Sequence, residues 1–144
     1  MDHKRTFGVG PYLKIHFQVY LYRIFGKLLT WYGRITGRME PYLRPHEVLY
    51  LRSSTSSRKI RVNVYRNVAA LKAVNEQSAV HLNWHGSGWI RPSLGQSCRF
   101  IRTLLRHPFL SSSGPLTILD CDYAKGPEWS CPAELEDAKD VFDY

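Results

Sequence analysis

The chain has 144 residues, 44% hydrophobic and 22% charged, which excludes a disordered or collagen-like polymer and fits one globular domain. A domain of about 150 residues buries roughly 70% of its unfolded surface, so a core is feasible. The net charge of +8 is uneven: residues 1–72 carry 14 basic and 3 acidic side chains, whereas residues 73–144 carry 6 and 9. A uniformly basic nucleic-acid binder is therefore a poor fit, and only the front half suits an anionic partner.

Within the N-terminal region, no uncharged run is longer than Ile15–Tyr22, far below the ~20 apolar residues that span a bilayer. Lys14, Arg23 and Lys27 interrupt the region too closely for a signal-peptide core. No export signal or membrane span is expected, and the cytoplasm is the expected location. Cys98, Cys121 and Cys131 are odd in number and lack C-x-x-C spacing, pointing to a reducing compartment rather than a disulfide framework or zinc site. No metal and no cofactor is expected.

Residues 11–36 read as a helix. At 100° per residue, Lys27, Arg34 and Arg38 fall within about 60° of Arg23, while Leu21, Phe25, Leu28, Leu29, Tyr32 and Ile35 lie opposite. The apolar side is expected to pack on its own domain; the alternative is a basic stripe docking on an anionic membrane surface or a partner. Gly26 and Gly33 weaken the helix by roughly 1 kcal/mol each relative to Ala. Pro41 and Pro45 break the pattern, and Arg52–Lys59 is a Ser-rich connector. Ile60–Tyr65 alternates with period two, as a half-buried strand does. Residues 68–77 are ambiguous between loop and short helix. Ala79–Trp84 is a second strand with Val80, Leu82 and Trp84 on one side. Ser97–Leu110 has helical spacing closed by Pro108, and Ser111–Pro115 is a turn. Leu116–Cys121 is an almost continuous apolar run, suited to a strand covered on both faces. Pro132 starts a helix, with Glu134, Glu136 and Asp137 where the macrodipole favours negative charge. Strands alternating with helices predict an α/β fold with a mostly parallel sheet. The expected division is a helical N-terminal cap region, residues 1–57, and a partial α/β core, residues 58–144.

The informative loop is His85-Gly86-Ser87-Gly88-Trp89, directly after a strand. Glycines there let the backbone turn sharply and bare N–H groups, which can neutralise an oxyanion. Two further segments follow in order: Asp122-Tyr123-Ala124-Lys125-Gly126-Pro127-Glu128 and Cys131-Pro132-Ala133-Glu134-Leu135-Glu136-Asp137-Ala138. Together they resemble the α/β-hydrolases of the hormone-sensitive-lipase type, with their H-G-G-G, D-Y-R-x-A-P-E and P-A-x-x-x-D-A motifs. The likeness runs from about residue 60 to 144. It implies a truncated α/β-hydrolase fold, carboxylic-ester hydrolysis and a small acyl ester as substrate. By position, the amides of Gly86, Ser87 and Gly88 would form the oxyanion hole. His85, Asp122, Tyr123, Pro127 and Glu128 would support that loop, and the N-terminal helix would be the cap over the acyl pocket. Ser87 departs from the middle glycine, Ala124 stands where Arg is usual, and Gly126 replaces Ala.

The nucleophile motif G-x-S-x-G does not occur within the 144 residues; Gly95-Gln96-Ser97-Cys98-Arg99 fails at its last position. The family's nucleophile, acid and base are thus absent, and this chain alone is expected to be an inactive front portion of an esterase. A sheet stopping after three or four strands would leave an open edge and an uncovered apolar face, so self-association is expected without a covering partner. Other candidates are weaker. His81 and His85 would lie about 13 Å apart on a strand, too far for one metal ion. Gly8-Val9-Gly10 lacks the strand and third glycine of a dinucleotide loop. Asp120 and Asp122 could pair as acid and base but are better read as structural. The acidic run Glu134–Asp143 reads as a solvated helix face, and Ser97 and Ser111–Ser113 have no positional claim as nucleophiles.

Overall fold

A computed structural model describes residues 9–73 and 77–144. It contains helix α1 (Val9–Ile35), strands β1 (Glu47–Arg52) and β2 (Lys59–Arg66), and helix α2 (Val68–Lys72). Strand β3 (Ala79–Trp84), helices α3 (Cys98–Arg106) and α4 (Pro108–Ser112), strand β4 (Leu116–Cys121) and helix α5 (Ala133–Phe142) follow. The strands form one sheet in the order β1-β2-β4-β3.

The α/β class is as expected, but the sheet is not mostly parallel. β1 pairs antiparallel with β2, and β2 antiparallel with β4. Only β3 and β4 run parallel. The short Ser53–Arg58 connection after β1 forces the chain back on itself, whereas α3 and α4 provide the long crossover that a parallel pair needs. β1 itself was not anticipated. It lies on the N-terminal side of the expected 57/58 division yet pairs along its length with β2, so the sheet spans both sides of that division. Asn67 caps α2 by accepting from the Ala70 N–H. Residues 74–76 of the ambiguous segment, and Gly8 of Gly8-Val9-Gly10, lie outside the described residues. The expected long helix over 97–110 is two: α3 ends before His107, and Pro108 opens α4, which takes in part of the expected Ser111–Pro115 turn.

Alternation along β2 sends Ile60, Val62 and Val64 to one face and Arg61, Asn63 and Tyr65 to the other. On the first, Ile60, Val62 and Cys121 pack with Val141 of α5. On the second, Tyr65 and Ile118 pack with Ile101 of α3. Helices on both faces explain the almost continuous apolar run of β4, which only Thr117 and Asp120 interrupt. Burial pushes the Cys121 thiol up to about 12 and leaves it a neutral packing group. At the edge strand β3, Val80 and Trp84 remain exposed.

Helix α1 is present but turned opposite to its hydropathy. Among its residues only His16, Val19, Arg23, Gly26, Thr30 and Gly33 are buried or half-buried, a stripe at alternating spacings of three and four. Leu21, Phe25, Leu28, Tyr32 and Ile35 face outward, and Leu29 is exposed at the margin of the docking face. The docking face is small and polar because it meets backbone carbonyls, a carboxylate and closely approaching side chains. Arg23 donates to the carbonyls of Ile90 (2.9 Å) and Gly126 (2.7 Å), and pairs with Glu128. Gly26 lets the Arg91 side chain cross the helix, since a Cβ there would lie 3.2 Å from Arg91 Cδ. Of the basic stripe read from the sequence, Arg23 points into the fold, while Lys27, Arg34 and Arg38 remain exposed.

Ile118 is fully buried between β2 and α3. Ile118→Ala should lower unfolding stability by about 2–5 kcal/mol, read as a lower urea midpoint in dilute solution; a shift within about 0.5 kcal/mol, typical of a surface position, would contradict this packing.

Candidate functional site

The parallel β3–β4 pair places Trp84 opposite Cys121. Both strands therefore end at the same sheet edge, and the loops beginning at His85 and Asp122 leave side by side. His85 is buried and stacks on Tyr123, ring centroids 4.9 Å apart. Its Nε2 lies 3.3 Å from Asp122 Oδ1, which also accepts from Lys125 Nζ at 2.7 Å. The same ammonium donates to the Tyr123 carbonyl and sits 3.4 Å from the Tyr123 ring centroid.

Tyr123 fixes the tip of the first loop. Its hydroxyl donates to the His85 carbonyl at 2.8 Å. A phenol has one proton, so in the 2.6 Å contact with Ser87 Oγ the serine must be the donor. Ser87 is thus a brace, its proton already held. Its φ is not positive; the left-handed residues of this turn are Gly88 and Trp89, both at φ 56°. A side chain is therefore tolerated at the position where the H-G-G-G motif it resembles has glycine. The strained backbone falls on Trp89, whose carbonyl accepts from Gly126 N–H at 2.7 Å and ties the two loops together.

The amides of Gly86, Ser87 and Gly88 have no acceptor among the described residues. Ser87 and Gly88 line a cavity of about 320 Å³ together with Gln18, Val19 and Tyr22 of α1, and Ile90. The expected site residues thus come together: His85, Asp122 and Tyr123 under the loop, with Gly126 and Glu128 held to it through Arg23. The peptide bond before Pro127 is cis. Arg23 is the residue that sequence reasoning missed. The signal was its place three residues before Gly26 and ten before Gly33, on the helix face that those two small residues mark for close approach.

Ala124 is buried and donates its N–H to Asp137 Oδ2 at 2.6 Å; Asp137 also pairs with Arg58. The last motif thereby anchors the second loop to α5 and to the β1–β2 connection. Asp120 and Asp122 do not form an acid–base pair. Asp120 accepts from Asn83 (2.6 Å) and from the Gly95 N–H (3.0 Å). Burial raises its carboxyl, with those hydrogen bonds opposing. Among the described residues no cluster of His, Cys, Asp or Glu could hold a metal ion, and no helix is long and apolar enough to cross a membrane.

No protein-family model matches the sequence, and no curated protein does. Solved structures do match. The esterase of Pyrobaculum calidifontis aligns with a TM-score of 0.57 at 21% identity, over 87% of this chain and 36% of its own. EstE1, a thermophilic and thermostable carboxylesterase cloned from a metagenomic library, gives 0.56 at 21% identity, over 87% and 37%. An arylesterase gives 0.52 at 18%, over 94% and 41%. The resemblance read from the motifs is therefore borne out in fold: the chain has the architecture of one portion of an α/β-hydrolase. It spans about a third of the length of the first two esterases.

Burial by itself raises the Asp122 carboxyl, but hydrogen bonds from His85 and Lys125 and the Lys125 charge outweigh it. The net result is a carboxyl held well below the usual range. A depressed folded value contributes stability that is whole above the unfolded pKa of about 3.9 and lost as pH falls through the folded one. Asp122→Asn should cost about 1–3 kcal/mol at neutral pH and flatten the acid limb below about pH 4. Urea midpoints measured against pH check both, and an acid limb as steep as that of the unaltered chain would refute the assignment.

Proposed function

We propose that the chain is the oxyanion-binding portion of a carboxylic ester hydrolase of the serine type, acting on small acyl esters. The observation that carries this reading is the set of three unengaged amides, at Gly86, Ser87 and Gly88, on a loop two of whose residues border a cavity. Amides so placed stabilise the charge that develops on a tetrahedral acyl adduct, and they do so without reorganising. His85, Asp122 and Tyr123 hold the loop from below and take no part in bond breaking. Pro127 and Glu128 shape the second loop, Glu128 by receiving Arg23. The N-terminal helix serves as the cap, and Val19 and Tyr22 offer apolar contact to the acyl group. Esterase neighbours of the same architecture support the reaction class.

Ser87, with its proton held by Tyr123, is not the nucleophile. The 144 residues contain no G-x-S-x-G, so the chain by itself binds an oxyanion without forming an acyl-enzyme. The loop alone would give at most the residual catalysis left when a triad is removed. Two measurements on the 144-residue protein test this. Butylphosphonate, a tetrahedral oxyanion with a short alkyl chain, should shift the amide NMR resonances of Gly86, Ser87 and Gly88; unmoved resonances at saturating ligand would overturn the oxyanion role. With p-nitrophenyl butyrate no stoichiometric burst of nitrophenolate is expected, and such a burst would refute the missing nucleophile.

A further inference from the structure

A second cavity, of about 540 Å³, lies between the inward face of α1 and the segment Arg91–Gln96. Its size suits a ligand of drug-like dimensions. Lys27, Arg34 and Arg91 line it, and no carboxylate does. Arg23 also borders it but is already neutralised by Glu128. The other three form no ion pair among the described residues. Arg91 is held by neutral partners: its Nε donates to Ser93 Oγ at 2.9 Å and its Nη2 to Gln96 Oε1 at 3.2 Å. Arg34 lies 5.8 Å from the Tyr42 ring centroid, a contact that leaves its charge uncompensated. Gly26 contributes by leaving room for the Arg91 stem. The remaining wall includes Leu29, Trp31, Met39 and Leu94.

Three like charges share one concave site, beside an apolar wall. Each guanidinium offers a planar fork of donors that matches phosphate or carboxylate oxygens. A carboxylate would offset one charge; a phosphate monoester carries about −1.5 to −2 at pH 7 and has three strong acceptor oxygens. We propose that this cavity binds a phosphate monoester carrying an apolar substituent, the phosphate between Lys27, Arg34 and Arg91 and the substituent against Leu29, Trp31 and Met39. The proposal rests on the charge and shape of this cavity alone and does not depend on ester hydrolysis.

Titration calorimetry of the 144-residue protein tests it, with octyl phosphate below its micelle concentration as the probe. One molecule should bind per chain, and 1-octanol and inorganic phosphate should each bind at least about tenfold more weakly, a difference of one hydrogen-bonded charge or more. Lys27→Gln and Arg34→Gln, at exposed rim positions where folding is not at stake, should each weaken octyl phosphate by about tenfold, as should Arg91→Gln. Phe25→Ser, on the outward side of α1, should leave the affinity unchanged. Octanol binding as tightly as octyl phosphate, or an Arg34→Gln variant of unaltered affinity, would overturn the proposal. So would loss of binding in Phe25→Ser, which would place the ligand on the outer face. Vesicles of phosphatidylcholine with phosphatidate separate the sources of the phosphate: retention on vesicles without binding of free octyl phosphate would mean a surface contact and no cavity site.

Discussion

Every contact at the loop pair depends on one register: β3 and β4 run parallel, with Trp84 opposite Cys121. Side chains on a strand alternate, and adjacent strands lie about 4.8 Å apart. Loops that leave the same sheet edge from paired residues must then share their first few positions. His85 meets Asp122, Tyr123 reaches the His85 carbonyl and Ser87, and Trp89 meets Gly126. An antiparallel pair would have sent the two loops to opposite edges, and none of these distances could exist. The antiparallel β1 and β2 extend the sheet and cover its far side without disturbing that edge.

Helix α1 shows how polar backbone can decide which face of a helix is buried. A turn as sharp as that at Gly88 and Trp89 leaves carbonyls without ladder partners, and buried carbonyls need donors. The Ile90 and Gly126 carbonyls find theirs in a single guanidinium. A helix that supplies Arg23 to these loops must turn the residues in register with it inward as well. Those residues are His16, Val19, Gly26, Thr30 and Gly33, mostly too small or too polar to build a core. The outward apolar side chains, Phe25, Leu28, Tyr32 and their neighbours, follow from this geometry. They present the kind of continuous apolar surface that proteins cover with another surface.

These two constraints explain what could be read from the residues. β2, β3 and β4 were legible because the alternation of Ile60–Tyr65 and the apolar run of Leu116–Cys121 report burial, which is what sheet packing selects. β2 is nevertheless not half-buried as its alternation suggested, since α3 covers Tyr65 on the face expected to be wet. The loop pair was legible as motif, since Gly88, Asp122 and Tyr123 are residue types the turn and its brace require. β1 was overlooked because Pro45 just before it and the Ser-rich stretch after it suggested a connector. Its Val48-Leu49-Tyr50-Leu51 run was the available sign. Strand direction was misjudged because alternation of strand and helix speaks for a crossover only where a helix is long enough to span the sheet. α2, at five residues, is not such a helix. Hydropathy misplaced α1 because its binding face is made by space and donors, which hydropathy does not measure; Gly26 and Gly33 were weighed as helix weaknesses when they are the points of closest approach.

The substitution at Ser87 bears on how far the architecture can depart from its motif without losing its geometry. In a loop made of glycines, the bend is held only by its ends and by the neighbouring strand. Here the middle position carries a hydroxyl that donates to Tyr123, and the Tyr123 hydroxyl in turn donates to the His85 carbonyl. The two bonds close a small ring across the loop, from the first residue of the bend to its third. Such chains polarise one another, and each bond stiffens the next. The side chain therefore adds a constraint while the amide it shares a residue with remains unengaged. Flexibility at the tip is reduced to Gly88, where the left-handed turn demands it and where a Cβ would meet open space.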